Sequence, residues 1–275
     1  MEYSPIKFKE KMEKYNFNLK KMYGQNFIID ENVISNIISK SQIDKDTMVI
    51  EIGPGAGSLT YALSKFAKNV LCYEIDTTLK ELLYDNLSGL DNVEVIFKDF
   101  LKSSILEDIK KYDYKKLYVV ANLPYYITTP IIIKFIEDEI PVDKLVVMVQ
   151  KEVGDRFKAS PNSKEYNSLS IYLNYYFDVK KILDVSKNVF IPKPNVDSIV
   201  VEFKKKDKFY ELKDKQLFFK LVKDSFTQKR KTLKNNLKGY NLEKIEEVLK
   251  KYKFDLSVRA EQLPINVFVD IANNL

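Results

Sequence analysis

Histidine is absent from the 275 residues, and Cys72 is the sole cysteine. Disulfide frameworks, Cys/His zinc sites and every catalytic scheme built on imidazole are therefore excluded. Long apolar runs are missing too. The longest candidate, Tyr118 to Ile133, is broken by Asn122, Pro124 and Pro130, and falls short of the roughly 20 residues a membrane-spanning helix needs. Near the N-terminus, Lys7, Lys9, Lys11, Lys20 and Lys21 are scattered among acids and aromatics with no signal-peptide-like apolar stretch, so a cytoplasmic protein is expected. With 45% hydrophobic and 31% charged residues, general disorder is excluded and a sizeable core is possible. The length suits one large domain or a domain with an appendage.

The net charge of +6 is unevenly spread: residues 1–203 are close to neutral, at −2, whereas residues 204–275 carry +8. A small basic segment on a near-neutral body is what phosphate contact requires, because neutralising phosphates releases counterions. A solvated lysine-rich helical surface has the same composition, and charge alone does not separate the two.

Short apolar runs recur at Met48 to Ile52, Val70 to Ile75, Val93 to Phe97, Leu117 to Ala121 and Leu145 to Val149, with helical patterns between them. Runs rich in Val and Ile without strict alternation suit strands buried on both faces, which predicts a parallel sheet covered by helices. Two further strands are predicted near Tyr172 to Val179 and Ser198 to Phe203. From Asp214 the periodicity becomes helical, through Leu217, Leu221, Phe226, Leu233, Leu237, Leu242, Ile245, Val248 and Leu249. The change of charge and the change of pattern nearly coincide, placing a domain boundary near residue 206.

Ligands of such sheets bind beyond the carboxyl ends of the strands. The first run ends in Gly53, Gly55 and Gly57, a G-x-G-x-G turn that resembles the S-adenosylmethionine loop of class I methyltransferases. A strand-to-helix turn also needs glycine whatever it binds. The second run ends at Glu74, a carboxylate suited to accept from two ribose hydroxyls, and the third at Asp99, suited to accept from an adenine amine. One acid at a strand end is commonly a helix cap, but glycine loop, Glu and Asp at three successive ends point to a nucleoside.

The fourth run leads into Asn122, Leu123, Pro124 and Tyr125. An exocyclic adenine amine is a poor nucleophile because its lone pair is delocalised into the ring, so an enzyme must hold it in a geometry that favours attack on a methyl group. The Asn122 side-chain oxygen and the Leu123 carbonyl can accept its two protons, Pro124 fixes the turn, and Tyr125 offers a stacking face. Once the nitrogen is cationic its proton is acidic, so no strong general base is needed.

Together with Lys20-Lys-Met-Tyr-Gly-Gln-Asn-Phe27, Gln150-Lys-Glu-Val, Phe190-Ile-Pro-Lys-Pro-Asn-Val-Asp-Ser198, Lys229-Arg-Lys-Thr-Leu-Lys-Asn235 and Arg259-Ala-Glu-Gln-Leu263, these motifs resemble the ribosomal RNA adenine N6,N6-dimethyltransferase family. The last two segments favour its housekeeping branch. The resemblance implies a Rossmann-like class I α/β domain over residues 1–206 and a small all-helical RNA-recognition domain over residues 207–275. It implies S-adenosylmethionine as methyl donor and no metal, with Asn26, Ile28, Gly53, Gly55, Glu74, Asp99 and Asn122 at the cofactor. Asn122, Leu123, Pro124 and Tyr125 would position the target base, and Phe190, otherwise a core aromatic, would stack on it. Lys229, Arg230, Lys231 and Lys234 would grip RNA phosphates, with Arg230 and Lys234 spaced to share a helical face. The implied activity is dimethylation of two adjacent adenines near the 3′ end of 16S ribosomal RNA late in small-subunit assembly. The implied partner is the immature small subunit, and the implied state is a monomer. Alternatives are a resistance-type enzyme acting on large-subunit RNA and a small-subunit assembly factor. Ile28 stands where leucine is usual, Tyr126 where Asn or Gln is usual, and Lys229 where arginine is usual. The Tyr166 to Ser170 segment also departs from the family pattern.

Overall fold

The Val- and Ile-rich runs form the parallel heart of one sheet. The computed structural model describes residues 5–15 and 25–275, the side chains of 5–9 excepted. Lys20 to Gly24 of the N-terminal motif lie outside the described residues. The strands are β1 (Phe27–Ile28), β2 (Thr47–Ile52), β3 (Asn69–Tyr73), β4 (Val93–Ile96), β5 (Lys116–Asn122), β6 (Lys144–Gln150), β7 (Phe177–Val185), β8 (Phe190–Ile191) and β9 (Ser198–Lys205). Seven of them join in the order β4-β3-β2-β5-β6-β9-β7, while β1 and β8 form a separate antiparallel pair. β2 pairs in parallel with both β3 and β5, β3 with β4, and β5 with β6, whereas β9 runs antiparallel to β6. The strand order reverses between β2 and β5, the crevice where α/β sheets bind ligands.

Burial on both faces explains the composition of the central strands. All six residues of β2 are buried, Glu51 among them. On one face Val49, Val70, Val120, Val146 and Met148 pack with Ile34, Ile37 and Ile38 of helix Glu31–Ser41 and with Leu59 and Leu63 of helix Ser58–Phe66. Each such side chain contributes about 1.5–3 kcal/mol by leaving water.

The chain folds into two compact units, Met1–Gly154 with Lys180–Lys204, and Asp155–Val179 with Lys205–Leu275. The second therefore draws on two stretches, where the sequence pattern placed a single cut near residue 206. Its core gathers Phe218, Leu221, Leu233, Leu237, Ile245, Val248, Leu249, Val267 and Phe268 with Tyr166, Ile171 and Tyr175 from the earlier stretch. That earlier stretch also corrects the strand expected near Tyr172 to Val179. Residues Ser168–Tyr176 are helical, and β7 starts only at Phe177. Asn167 accepts from the amides of Leu169 and Ser170 while its own amide donates to the Ser170 hydroxyl, a capping box that starts a helix. Ile171 and Tyr175, one helical turn apart, then enter the second unit's core.

Gly154 in helix Lys151–Phe157 marks a close approach to β9. A Cβ there would lie 2.4 Å from Cδ1 and 2.7 Å from Cγ1 of Ile199, and 3.1 Å from Cγ2 of Val201. Gly154→Ala is expected to destabilise the protein by about 1–3 kcal/mol through overpacking, despite alanine's better helix propensity. Urea unfolding at constant m value checks this; an unchanged or raised midpoint contradicts it.

Candidate active site

Four strand ends meet at one edge of the sheet and line a cleft of about 920 Å³, open mouth included. Its walls bring Gly53 and Gly55 after β2, Glu74 after β3, Asp99 after β4 and Asn122 at the end of β5 together with Asn26 and Ile28 from the N-terminal side. All seven residues expected at a cofactor therefore line one cavity. They come from segments far apart in sequence, and parallel strands present their carboxyl ends on the same side.

Gly55 shows why the loop uses glycine. Its φ is +60°, and a Cβ would sit 2.8 Å from the Phe27 ring. Its amide donates to Glu74 Oε2 at 3.1 Å, and the Asp76 amide donates to Glu74 Oε1 at 2.8 Å. Each Glu74 oxygen keeps further lone-pair capacity for a diol. Burial raises the Glu74 carboxyl to about 7. Glu51, on the same cleft wall, is 2% exposed; burial raises its carboxyl to about 8 against hydrogen bonds from Thr60 and Cys72. Asp99 serves as both cap and wall: its Oδ1 accepts from the Leu101 amide at 2.9 Å while the residue lines the cleft.

The Asn122 amide is oriented from the N-terminal segment. Its Nδ2 donates to the Asn26 carbonyl at 2.8 Å, which leaves Oδ1 as the acceptor of the amide. That oxygen is buried and has no hydrogen-bond partner among the described residues. Buried acceptors are nearly always satisfied, so this one is left for a donor that the described residues do not supply. The Leu123 amide donates to the Met148 carbonyl at 3.1 Å, tying the turn to β6. Pro124 Cγ lies 3.8 Å from where a Gly53 Cβ would stand, so the turn closes against the glycine loop.

Tyr125 and Phe190, the aromatics expected at the target base, stand apart from the lining of this cleft. Tyr125 does not line the cleft; its hydroxyl meets the Ser198 hydroxyl at 2.7 Å. The neighbouring Tyr126, 54% exposed, stands on the wall. Phe190 is 2% exposed and packs in the core with Ile28, its partner across the β1–β8 ladder, and with Val185. Here it is a core aromatic. In the second unit Lys229, Arg230, Lys231 and Lys234 are all exposed. Lys229 to Lys231 precede the short helix Leu233–Asn236, so Arg230 and Lys234 do not share a helical face. Asn236 Nδ2 donates to the Ser225 and Gln228 carbonyls and closes this loop.

Sequence reasoning missed Gln25, whose Nε2 donates to Asp76 Oδ2 at 2.8 Å, and Ile75, 42% exposed on the cleft wall. An apolar residue directly after a strand-end acid, where solvent would favour a polar one, was the available signal for Ile75.

A family model described as ribosomal RNA adenine dimethylase matches residues 16–275. The chain belongs to the ribosomal RNA adenine dimethylase family. It is 47% identical to a protein named ribosomal RNA small subunit methyltransferase A from Staphylococcus aureus, across 98% of this chain and 93% of that protein. Among solved structures, a dimethyladenosine transferase from Plasmodium falciparum superposes with a TM-score of 0.73 at 26% identity, covering 89% of this chain and 95% of that one. The 23S rRNA methyltransferase ErmE shares the fold, with a TM-score of 0.71 at 23% identity over 91% of this chain and 99% of that one. As a ribosomal RNA adenine dimethylase family member, the chain carries the glycine loop, the strand-end acids and the Asn122 turn in one cleft. Among the described residues no helix is long and apolar enough to cross a membrane.

Proposed function

We propose that the protein transfers methyl groups from S-adenosylmethionine to N6 of two adjacent adenines near the 3′ end of 16S ribosomal RNA, twice per base. The reading includes action as a monomer in the cytoplasm, on the immature small subunit late in its assembly. The observation that carries it is the unpartnered Asn122 Oδ1 at a cleft already furnished for a nucleoside.

The residues present fit the donor. Glu74 has acceptor capacity for the ribose hydroxyls, Asp99 an oxygen for the adenine amine, and Ile75 an apolar side chain for a ring face. Gly53 and Gly55 let the backbone approach the methionine side, while Asn26 and Ile28 cover it. Bound there, S-adenosylmethionine would supply an electrophilic methyl group.

The chain's own work is orientation and exclusion of water. Asn122 Oδ1 and the Leu123 carbonyl accept the two amine protons and turn the nitrogen lone pair toward the donor. Pro124 fixes the turn, and Tyr125 supports the base. Phe190 contributes from the core by anchoring Ile28 and the covering segment. Lys229, Arg230, Lys231 and Lys234, exposed in a segment of net charge +8, hold RNA phosphates without reading sequence.

The test is methyl transfer to purified small subunits lacking the modification. Labelled methyl recovered as N6,N6-dimethyladenosine in 16S RNA is expected. Label appearing only in large-subunit RNA, or none at all, sinks the reading.

A further inference from the structure

Ser198 is 1% exposed at the first position of β9. Because β9 runs antiparallel to β6, pairing Ser198 with Gln150, its start lies at the edge where the parallel strands end. A buried hydroxyl requires a partner. For Ser198 that partner is Tyr125, Oγ to Oη 2.7 Å, and either group can donate. Burial moves the Tyr125 phenol above its ordinary range, so the ring stays neutral at working pH and the contact persists.

The turn from Asn122 to Tyr125 is thus held at both ends. Asn122 Nδ2 is tied to the Asn26 carbonyl at 2.8 Å, and Tyr125 is tied to Ser198. Between the two ties, the Leu123 amide reaches Met148 on β6. We infer that Ser198 is a positioning residue for methyl transfer: by pinning Tyr125 it holds the turn, and with it both acceptors of the target amine, in the geometry of attack. Misplacement by about 1 Å can cost a hundredfold in rate, so one hydroxyl contact behind the turn has leverage on the chemistry without touching the base. This rests on the function proposed above.

Ser198→Ala and Tyr125→Phe remove the same contact from opposite ends. Each is expected to lower kcat on unmodified small subunits about tenfold, with KM for the particle and the calorimetric Kd for S-adenosylmethionine within about twofold of wild type. The double variant should be no slower than either single one. Unchanged kcat with only a lowered Tm would assign Ser198 a purely structural role and overturn the proposal, as would additive losses in the double variant. Should Ser198→Ala fail to fold, Tyr125→Phe decides alone, and full activity there overturns it. Wild-type protein inactive on these particles would overturn the proposed function itself, whereas active wild type with active variants overturns only the positioning.

Discussion

Replacing Asn122 with alanine is expected to lower methyl transfer by about a hundredfold or more while S-adenosylmethionine still binds within about tenfold of wild type. The rate loss follows from removing one preorganised group aimed at the reacting centre, which commonly costs 10²–10³. The smaller binding loss reflects the bond from Nδ2 to the Asn26 carbonyl, about 1 kcal/mol for a neutral hydrogen bond. Asn122→Asp separates the two roles. It keeps an oxygen for the amine but cannot donate to Asn26 when ionised, so it should retain more activity than alanine and loosen the Gln25 to Ile28 segment. Single-turnover kinetics and calorimetry on the same preparations provide the measurements. Full activity of the alanine variant would remove the proposed acceptor.

The second large effect is on stability against pH. Burial raises Glu51 to about 8 and Glu74 to about 7, above the ordinary 4.5. Between those limits the folded protein therefore holds more protons than the unfolded chain. Stability from this source is full below about 4.5 and is lost as pH rises through the two folded values. Few other groups interfere in that window. The chain has no histidine, and carboxylates held low, such as Asp44 at about 2 beside Lys116, titrate beneath it. Donor-free wild type should thus melt lower at pH 8.5 than at pH 5.5. Glu51→Gln should flatten that slope and melt above wild type at pH 8.5, since ionising a carboxyl whose folded value is raised this far costs on the order of a few kcal/mol. A variant whose Tm follows the wild-type pH profile would show that Glu51 does not carry the linkage.

Much of the sheet could be read from local composition, because strands buried on both faces must be runs of Val, Ile and Leu. The observed β2, β3, β4, β5 and β6 fall on the five runs. The helix at Ser168–Tyr176 was hidden for a related reason. Its Tyr and Leu content suits a strand as well as a helix, and only the Asn167 cap and the apolar cluster it enters decide between them. At Phe190 the residues alone read as a core aromatic and only the family resemblance set the ring against the target base; the ring is buried, on the strand paired with Ile28.

By itself the sequence determined the chemistry that is possible: no imidazole, a glycine loop and acids at successive strand ends, an acceptor-bearing turn, and a basic C-terminal segment. These are local properties of residue type and spacing, and parallel strands guarantee that their ends share an edge. Tertiary structure decided which atoms face the cleft. Asn26 and Asn122 are 96 residues apart, and Tyr125 and Ser198 are 73. Which amide atom of Asn122 is left to accept, and whether Tyr125 or Tyr126 stands on the wall, depends on partners that only folding brings within hydrogen-bonding distance.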